Sequence, residues 1–238
     1  MKILKNIDTE VLKSFRAPAF PGSYFLSFEG IEGAGKSTQI IQLKDYLESK
    51  NFNVIVLREP GGTPFGERLR KAILESKSEI HPLAEANLFA SARAQLLWEV
   101  VLKELENPGT IIIADRYLDS SLAYQGVGRG LGFGHILNLH SQFPLNLVPH
   151  LTFYIEIDVE TSHGRQKLRN APKDYFESQG DDFYTKLISG YNQALELFPN
   201  RIKRIDGTRK LDEIQSEIRV MTDKLISENK SVTDQKEL

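Results

Sequence analysis

The chain has 238 residues, with 40% hydrophobic and 26% charged side chains, which is ordinary for a soluble globular protein. The length allows one large α/β domain or at most two small ones, and the formal net charge of −2 provides no field that would attract a nucleic-acid polymer. No apolar stretch approaches the length that a membrane span needs. The absence of cysteine excludes disulfides, thiolate nucleophiles and Cys-ligated metals. From these observations together we expect a cytoplasmic protein with neither membrane nor nucleic-acid-polymer partners.

The first 22 residues are predicted to form an N-terminal extension. They mix charged with apolar side chains and contain no apolar block, so we do not expect a secretory signal. Residues 17–22 are rich in breakers of regular structure. A short helix that packs on the domain surface is expected before them, and its apolar face would be formed by Leu4, Ile7, Val11, Leu12 and Phe15.

The next segment combines a strand, a glycine-rich loop and a helix. Residues 24–28 form an apolar run typical of a buried strand, and residues 38–47 carry apolar side chains at helical spacing. The loop between them fits the pattern G-x-x-x-x-G-K-[ST], the P-loop that holds the phosphates of a nucleoside triphosphate. The residues predicted to bind this nucleotide are Gly30, Ile31, Glu32, Gly33, Ala34, Gly35, Lys36, Ser37 and Thr38.

The chemistry of this loop depends on three kinds of group. Its glycines let backbone N–H groups fold inward around an anion, and the following helix adds its positive N-terminal end. Lys36 supplies a charge for the β- and γ-phosphates, and the Ser37 hydroxyl can ligate Mg²⁺. The alternative is a purely structural glycine-rich turn, which the position of the Lys-Ser pair disfavours.

Strands and helices alternate after this unit. Further strands are predicted at 54–57, 110–114, 151–157 and 202–205, and helices at 65–76, 82–105, 181–198 and 211–228. This alternation predicts an α/β fold of three layers, a central parallel five-stranded sheet with helices on both faces. We predict one domain over 23–228, followed by a flexible tail over 229–238.

Asp115 and Arg116 directly follow the third predicted strand. Ligands of parallel sheets bind at the carboxyl ends of the strands, so this pair should meet the P-loop in one cleft. The Asp115 carboxylate opposite Ser37 can complete a Mg²⁺ shell, and Arg116 can clamp a phosphate. The alternative is a helix-capping Asp beside a surface Arg.

Four segments together resemble the thymidylate (dTMP) kinases, a family of P-loop nucleoside-monophosphate kinases. They are residues 28–38 (FEGIEGAGKST), 58–63 (REPGGT), 88–95 (LFASARAQ) and 115–126 (DRYLDSSLAYQG). The resemblance covers roughly residues 23–222. It implies an enzyme that transfers a phosphoryl group from ATP to dTMP with Mg²⁺, giving dTDP and ADP, and it suggests a homodimer formed through the long helices.

The resemblance also implies roles for the dTMP site. Phe89 would stack on thymine and Arg93 would bind its carbonyl, and the i, i+4 spacing places both on one helix face. Tyr124 would lie beneath the sugar and exclude a 2′-hydroxyl. The other residues it implies are Arg116 at the phosphate, Ser121 near the base, Glu32 at the 3′-hydroxyl, and Glu59, Pro60 and Gln125. The alternatives are a core aromatic for Phe89, a surface ion pair for Arg93 and solvent exposure for Glu32.

Members of this family place a catalytic arginine either in the P-loop or in a mobile lid. This chain has Gly33 at the P-loop position, so it resembles the lid class, and we predict a lid over 162–180. Arg169, and then Arg165, are the expected catalytic residues, whereas Lys167 lacks the bidentate fork of an arginine. A solvated basic helix is the alternative. Tyr175 departs from the family, which usually carries an arginine there.

Three other functions are compatible with a P-loop. One is a kinase of the same fold that acts on another monophosphate or on a deoxynucleoside, which Phe89, Arg93 and Tyr124 disfavour. Another is a GTP-hydrolysing switch, but the sequence lacks an Asn-Lys-x-Asp string for guanine. The third is a degenerate, structural relative, which the intact Lys36, Ser37, Asp115 and Arg116 disfavour.

Overall fold

The structure is a computed structural model that describes residues 7–169, 175–176 and 179–234, without the side chains of 169 and 229–234. Its centre is a sheet of five parallel strands in the order β2-β3-β1-β4-β5. The strands are β1 Tyr24–Glu29, β2 Asn53–Arg58, β3 Thr110–Asp115, β4 Leu151–Glu156 and β5 Ile202–Asp206. Each predicted strand is present, and the predicted fold class is confirmed.

Ten α-helices are assigned in the described part of the chain. They are α1 Thr9–Ser14, α2 Lys36–Glu48, α3 Pro64–Leu74, α4 Pro82–Leu96, α5 Leu102–Leu105, α6 Leu118–Ser121, α7 Phe133–Leu139, α8 Val159–Arg169, α9 Asp181–Leu197 and α10 Leu211–Asp234. Two π-helical segments continue α4 and α6, at Leu97–Val101 and Leu122–Gly128. The π-helical stretch therefore interrupts the helix predicted over 82–105, and α10 runs past its predicted end at 228.

The burial of the strands follows from their place in the sheet. Every residue of β1 is buried, and so are all but the last residues of β3 and β4, because these three inner strands are covered by helices. The edge strand β2 alternates between buried and more exposed side chains. The carboxyl ends of β1, β2 and β3 lie side by side, which brings the P-loop, the loop after Arg58 and the turn after Asp115 together.

The N-terminal extension packs against the domain. Asp8 caps α1 by accepting a hydrogen bond from the Glu10 backbone N–H, and Arg16 forms an isolated parallel bridge with Leu147. Ile7 is buried, and Val11, Leu12 and Phe15 pack against the core, whereas Leu4 lies outside the described residues. No helix in the described ranges is long and apolar enough to cross a bilayer.

Candidate active site

The P-loop connects β1 to α2 and wraps around the Lys36 side chain. Gly30, Gly33 and Gly35 have φ angles of 136°, 79° and 95°, in the region that L side chains avoid. Lys36 Nζ donates hydrogen bonds to the carbonyl oxygens of Gly30, at 3.1 Å, and Ile31, at 3.2 Å. The loop thus holds an ammonium group at the start of α2, where the helix dipole also favours an anion.

Burial changes the acidity of Lys36. The side chain is 5% exposed, and desolvation, aided by the nearby Arg116 charge, lowers its pKa to about 8. Asp115, Glu32 and Glu29 oppose this shift. An anionic ligand in the loop would restore the preference for the charged form, because it would supply the opposite charge that the buried ammonium needs.

Ser37 and Asp115 face each other across the loop. Ser37 Oγ lies 3.4 Å from Asp115 Oδ2, and Asp115 Oδ1 is buried without a hydrogen-bond partner among the described residues. A hydroxyl and a carboxylate with an unused oxygen are the hard oxygen donors that Mg²⁺ prefers. The pair therefore fits the predicted metal position, with the remaining ligands coming from phosphate and water.

Arg116 projects from the turn after β3 toward the P-loop. Its φ of 73° is unusual for a residue with a side chain, and its guanidinium donates to the Gly30 carbonyl at 2.8 Å and to the Tyr191 hydroxyl at 3.0 Å. The same group lies 3.4 Å from a Glu32 oxygen and 5.2 Å from the centre of the Tyr124 ring. Arg116 therefore stands between the P-loop and a neighbouring cavity, and its contact with the acceptor phosphate stays a prediction.

Glu29 anchors this turn from beneath. Its fully buried carboxyl accepts hydrogen bonds from the Tyr117 backbone N–H, at 2.8 Å, and from the backbone and hydroxyl of Ser120, at 3.3 and 2.5 Å. Burial, with a contribution from Asp119, raises the pKa of Glu29 to about 8. The sequence analysis assigned Glu29 no role, but the contacts show that it holds the strained turn in which Arg116 is presented.

Two cavities meet at these residues. The first surrounds the P-loop and has a volume of about 670 Å³. The second lies beyond Arg116 and is narrower, at about 100 Å³. Its walls include the predicted residues Glu32, Glu59, Pro60, Phe89, Arg116, Tyr124 and Gln125. Both cavities are lined by Glu32, Glu59, Arg70 and Arg116, so ligands in the two would approach each other at this boundary.

Arg70 is a wall residue of both cavities that sequence reasoning missed. It lies on α3, and one guanidinium nitrogen donates to the Pro60 carbonyl at 3.0 Å. The sequence did contain a hint of this role, because α3, the helix that carries Arg70, begins at Pro64 directly after the 58–63 motif.

Arg93 and Ser121 lie behind the wall of the second cavity rather than in it. Arg93 is 1% exposed and pairs with Glu59 through contacts of 2.5 and 2.7 Å. It also donates to Ser121 Oγ at 3.1 Å. The alternative of a surface ion pair for Arg93 is wrong, because the pair is buried. Contact between Arg93 and a base stays a prediction, and the contacts seen here hold Glu59 in place.

His140 completes this buried network and was not foreseen. Its Nδ1 lies 2.8 Å from the Ile136 carbonyl, which can only accept, so Nδ1 carries the proton and Nε2 accepts from Arg93 at 2.7 Å. Desolvation and the Arg93 charge lower the pKa of His140 to about 3, which keeps the ring neutral. No sequence pattern pointed to it, since α7 lies in a stretch where no helix was predicted.

Gln125 lines the second cavity and is held by a buried ion pair. Its Nε2 donates to Glu85 Oε1 at 2.8 Å, and Arg129 Nε donates to Glu85 Oε2 at 3.1 Å. Burial raises the pKa of Glu85, whereas the hydrogen bond from Gln125 and the Arg129 charge lower it. Neither Glu85 nor Arg129 was singled out by the sequence.

The first part of the predicted lid is helix α8, which packs directly on the P-loop. Ser162 Oγ donates to the Glu32 carbonyl at 2.6 Å. Arg165 donates to the carbonyls of Gly33, at 3.1 Å, and Gly207, at 2.9 Å. A Cβ atom at Gly33 would lie 3.0 Å from the Ser162 carbonyl oxygen, so this chain has no room for an arginine at that P-loop position without moving α8.

The other lid residues are less fully described. Arg165 lines the P-loop cavity, and Lys167 is exposed. The Arg169 side chain and residues 170–174 lie outside the described residues. Tyr175 stands where an arginine was expected, and its ring lies 5.2 Å from the Arg129 guanidinium. A catalytic role for either lid arginine remains a prediction.

Phe176 adds an aromatic wall that the sequence analysis missed. Its ring meets Phe89 edge-on at 6.1 Å and Tyr124 edge-on at 5.3 Å, and it lines the second cavity. The three rings therefore surround one end of this cavity. Such a site suits a flat ring, because aromatic faces and edges pack against it without requiring charge.

Known proteins resemble this chain over most of its length. The family model for thymidylate kinase matches residues 28–218. The thymidylate kinase of Thermoanaerobacter sp. (strain X514) is 41% identical over 194 residues, which are 82% of this chain and 94% of that protein. The thymidylate kinase of Chlorobaculum tepidum is 40% identical over 201 residues, which cover 81% of this chain and 94% of that protein.

A solved structure gives the same answer at the level of the fold. The crystal structure of thymidylate kinase from Ehrlichia chaffeensis matches with a TM-score of 0.67 and 28% identity, over 85% of this chain and 99% of that chain. The predicted family, fold class and kinase activity are confirmed. The chain belongs to the thymidylate kinase family, the enzymes that use ATP to phosphorylate dTMP to dTDP.

Proposed function

We propose that this chain transfers the γ-phosphoryl group of ATP to the phosphate of dTMP, with ATP in the P-loop cavity and dTMP in the adjoining one. The observation that carries this arrangement is the shared wall of Glu32, Glu59, Arg70 and Arg116. Two nucleotides bound with their phosphates at this wall would meet end to end. The acceptor phosphate is already anionic, so the transfer needs positioning and positive charge rather than a strong base.

The positive charge would come from three side chains. Lys36 lies inside the P-loop, whereas Arg116 and Arg70 stand at the boundary between the cavities. Each can bind phosphate oxygens, the arginines through paired N–H groups. A lid arginine would complete the set, and Arg165 would have to give up its hydrogen bonds to the Gly33 and Gly207 carbonyls to do so.

Mg²⁺ is the cation we assign to this reaction. Ser37 Oγ and Asp115 would hold it, directly or through water, and it would neutralise charge on the β- and γ-phosphates.

The acceptor cavity explains a preference for a deoxy pyrimidine nucleotide. Phe89 and Phe176 offer aromatic surface for the base, and the Tyr124 ring beside Arg116 leaves little space for a 2′-hydroxyl next to the phosphate site. Glu32 lies at the mouth shared with the P-loop, where its carboxylate could accept a hydrogen bond from the 3′-hydroxyl.

We further propose a cytoplasmic homodimer. The resemblance places the interface on the long helices, and exposed apolar side chains lie there: Leu83, 41% exposed, on α4, and Trp98, 62% exposed, on the π-helical continuation of α4. Exposed apolar side chains on one long helix are a surface that a second copy could cover. Sedimentation of the wild type and of Trp98→Glu would test this, and a monomeric wild type would contradict it.

The activity is tested with a panel of acceptors. ADP release would be measured with dTMP, dUMP, dCMP, dGMP, UMP and thymidine, each with ATP and then with GTP as donor. We expect the highest kcat/KM for dTMP with ATP, and weak use of UMP because of its ribose. A preference for a purine, or for thymidine itself, would reassign the substrate. Nucleotide hydrolysis without any acceptor would support the switch alternative.

A further inference from the structure

We propose that Glu85 is a positioning residue for base selection. In this inference, which rests on the proposed function, Glu85 fixes the side-chain amide of Gln125 so that its oxygen is presented to the acceptor. That orientation selects thymine and uracil, whose N3 carries a hydrogen, over cytosine, whose N3 is an acceptor and would face the Gln125 oxygen.

The geometry of Gln125 gives the first step. Gln125 is 1% exposed yet lines the acceptor cavity. Its Nε2 donates to Glu85 Oε1 at 2.8 Å, and its Oε1 is buried without a hydrogen-bond partner among the described residues. A buried acceptor left unpaired costs free energy, and a ligand that donates a hydrogen bond to it would remove that cost.

The chemistry of Glu85 gives the second step. A carboxylate can only accept hydrogen bonds, so the amide nitrogen of Gln125 must face Glu85 and the oxygen must face away. This holds whichever way an amide is first drawn, because the reverse orientation would oppose two oxygens. Glu85 therefore decides which end of the amide remains for a ligand.

Arg129 gives the third step, because its charge favours the ionised form of Glu85 against the burial that raises the pKa of this carboxyl. Arg129 Nε lies 3.1 Å from Glu85 Oε2 and 3.4 Å from Oε1, and Glu85 is fully buried. A guanidinium at this distance favours the ionised carboxyl, which cannot donate. Arg129 also contacts Gln179 and the rings of Phe176 and Phe183, so replacing it alone would disturb the lid as well.

The test is Glu85→Gln, measured with dUMP and dCMP. These two acceptors share the sugar, the phosphate and the missing 5-methyl group, and they differ at the pairing edge that Gln125 would read. Gln at position 85 has the same shape but can donate as well as accept, so the Gln125 amide would be free to turn. We expect the ratio of kcat/KM for dUMP over dCMP to fall by ~10-fold, the scale of one mismatched buried hydrogen bond, with the KM for ATP unchanged.

The matched control is Glu79→Gln, which makes the same chemical change at an exposed position outside both cavities. It should keep the wild-type ratio. If Glu85→Gln does not fold, the double variant Glu85→Gln/Arg129→Met removes both buried charges together, and removing a buried pair is far better tolerated than breaking it. Losing Arg129 also disturbs the lid, but that defect is common to both acceptors, so the double variant should still show the same fall in the ratio.

The outcomes separate this inference from the proposed function. Wild-type enzyme that phosphorylates neither dTMP nor dUMP would overturn the proposed function, and this inference with it. If the wild type is active but the folded variants keep its dUMP-to-dCMP ratio, Glu85 has no part in base selection and only this inference falls. Equal losses on both acceptors would likewise mean that Glu85 acts only on stability.

Discussion

The two halves of the active site hold charge in opposite ways. Around the P-loop, the Lys36 ammonium is bound only by backbone carbonyls, and one oxygen of Asp115 has no hydrogen-bond partner in the described part of the chain. Around the acceptor cavity, buried carboxylates are matched with arginines, as in Glu59–Arg93, where both side chains are buried, and Glu85–Arg129, where the arginine is partly buried. The charged groups of the donor half are therefore available to bind substrates, whereas those of the acceptor half pair with each other and hold the cavity wall in place.

This difference leads to separate expectations for mutations. A buried group without an ionic partner contributes little to stability. Its removal should therefore change the free energy of unfolding little and lower the rate of catalysis instead. A buried ion pair contributes mainly when one partner is removed, because the other charge is then left in a site without water. Variants of the two halves should therefore fail in different assays.

The largest effect is expected for Arg93→Ala. It leaves the Glu59 carboxylate and the His140 ring without their buried partner, and breaking a buried pair costs about 3–5 kcal/mol. Urea unfolding would measure the loss. The control is Arg58→Ala, because the Arg58–Glu67 pair lies on the surface and should be worth less than about 1 kcal/mol. Similar losses of unfolding free energy in the two variants would show that burial does not increase the cost of breaking the Arg93–Glu59 pair.

The donor half should show the reverse behaviour in Lys36→Ala. We expect kcat/KM for ATP to fall by at least ~10²-fold, the scale of one lost preorganised charge, and Arg116→Ala to match it. The free energy of unfolding of Lys36→Ala should not decrease, because burial of this ammonium is unfavourable enough to lower its pKa to about 8. Lys44→Ala, at an exposed ion pair further along α2, is the matched control. Turnover close to wild type would remove Lys36 from the mechanism.

The same difference governs what could be predicted from the sequence. The P-loop half is formed by consecutive residues, because its geometry depends on glycines and on the start of one helix. The acceptor half is assembled from α4, the turn after β3, the loop after β2 and the segment after α8. Its motif residues were found, but the partners Glu85, Arg129 and His140 were not, because pairing depends on tertiary packing and leaves no periodic signal.

Two further differences have the same cause. Phe176 lies in the predicted lid and Arg70 on α3, but neither was assigned to a cavity, because only the fold shows which side chains reach it. Arg93 and Ser121 belong to two of the matched segments, and the resemblance places both near the base. Packing instead turns Arg93 toward Glu59 and His140 and Ser121 toward Arg93, and both side chains are almost fully buried. Spacing predicts which helix face a side chain lies on, whereas the depth of each side chain is set by its neighbours.

A smaller effect is expected where α8 meets the P-loop. Gly33→Ala would force an L side chain into a φ of 79° and place its Cβ 3.0 Å from the Ser162 carbonyl. Gly130→Ala has the same backbone problem, at a φ of 80°, but open space around the new methyl group. Both should lose about 1–2 kcal/mol of stability from the backbone alone. We expect only Gly33→Ala to lower kcat/KM for ATP as well, by ~10-fold if the displaced helix costs about 1.4 kcal/mol in the transition state.

The comparison of these two glycine variants isolates the contact with α8. If both variants keep wild-type kinetics, the packing of α8 on the P-loop is not needed for phosphoryl transfer. If both lose activity equally, the loss comes from general destabilisation, which thermal unfolding of the two proteins would reveal.

The smallest effect concerns the proton on Lys36. Its pKa in the free enzyme is lowered to about 8, and bound phosphates would raise it, so ATP binding takes up a proton when the pH lies between the two values. ATP affinity should therefore be constant below a pH of about 8 and fall above it, by at most ~10-fold per pH unit. Calorimetry at about pH 7 and about pH 9, in buffers with different ionisation heats, would count the protons taken up. Lys36→Arg is the control, because arginine stays charged throughout and ATP titrates identically with both proteins. If both proteins take up the same number of protons, Lys36 is already charged in the free enzyme at both pH values. Burial of Lys36 would then not set the pH dependence of ATP affinity.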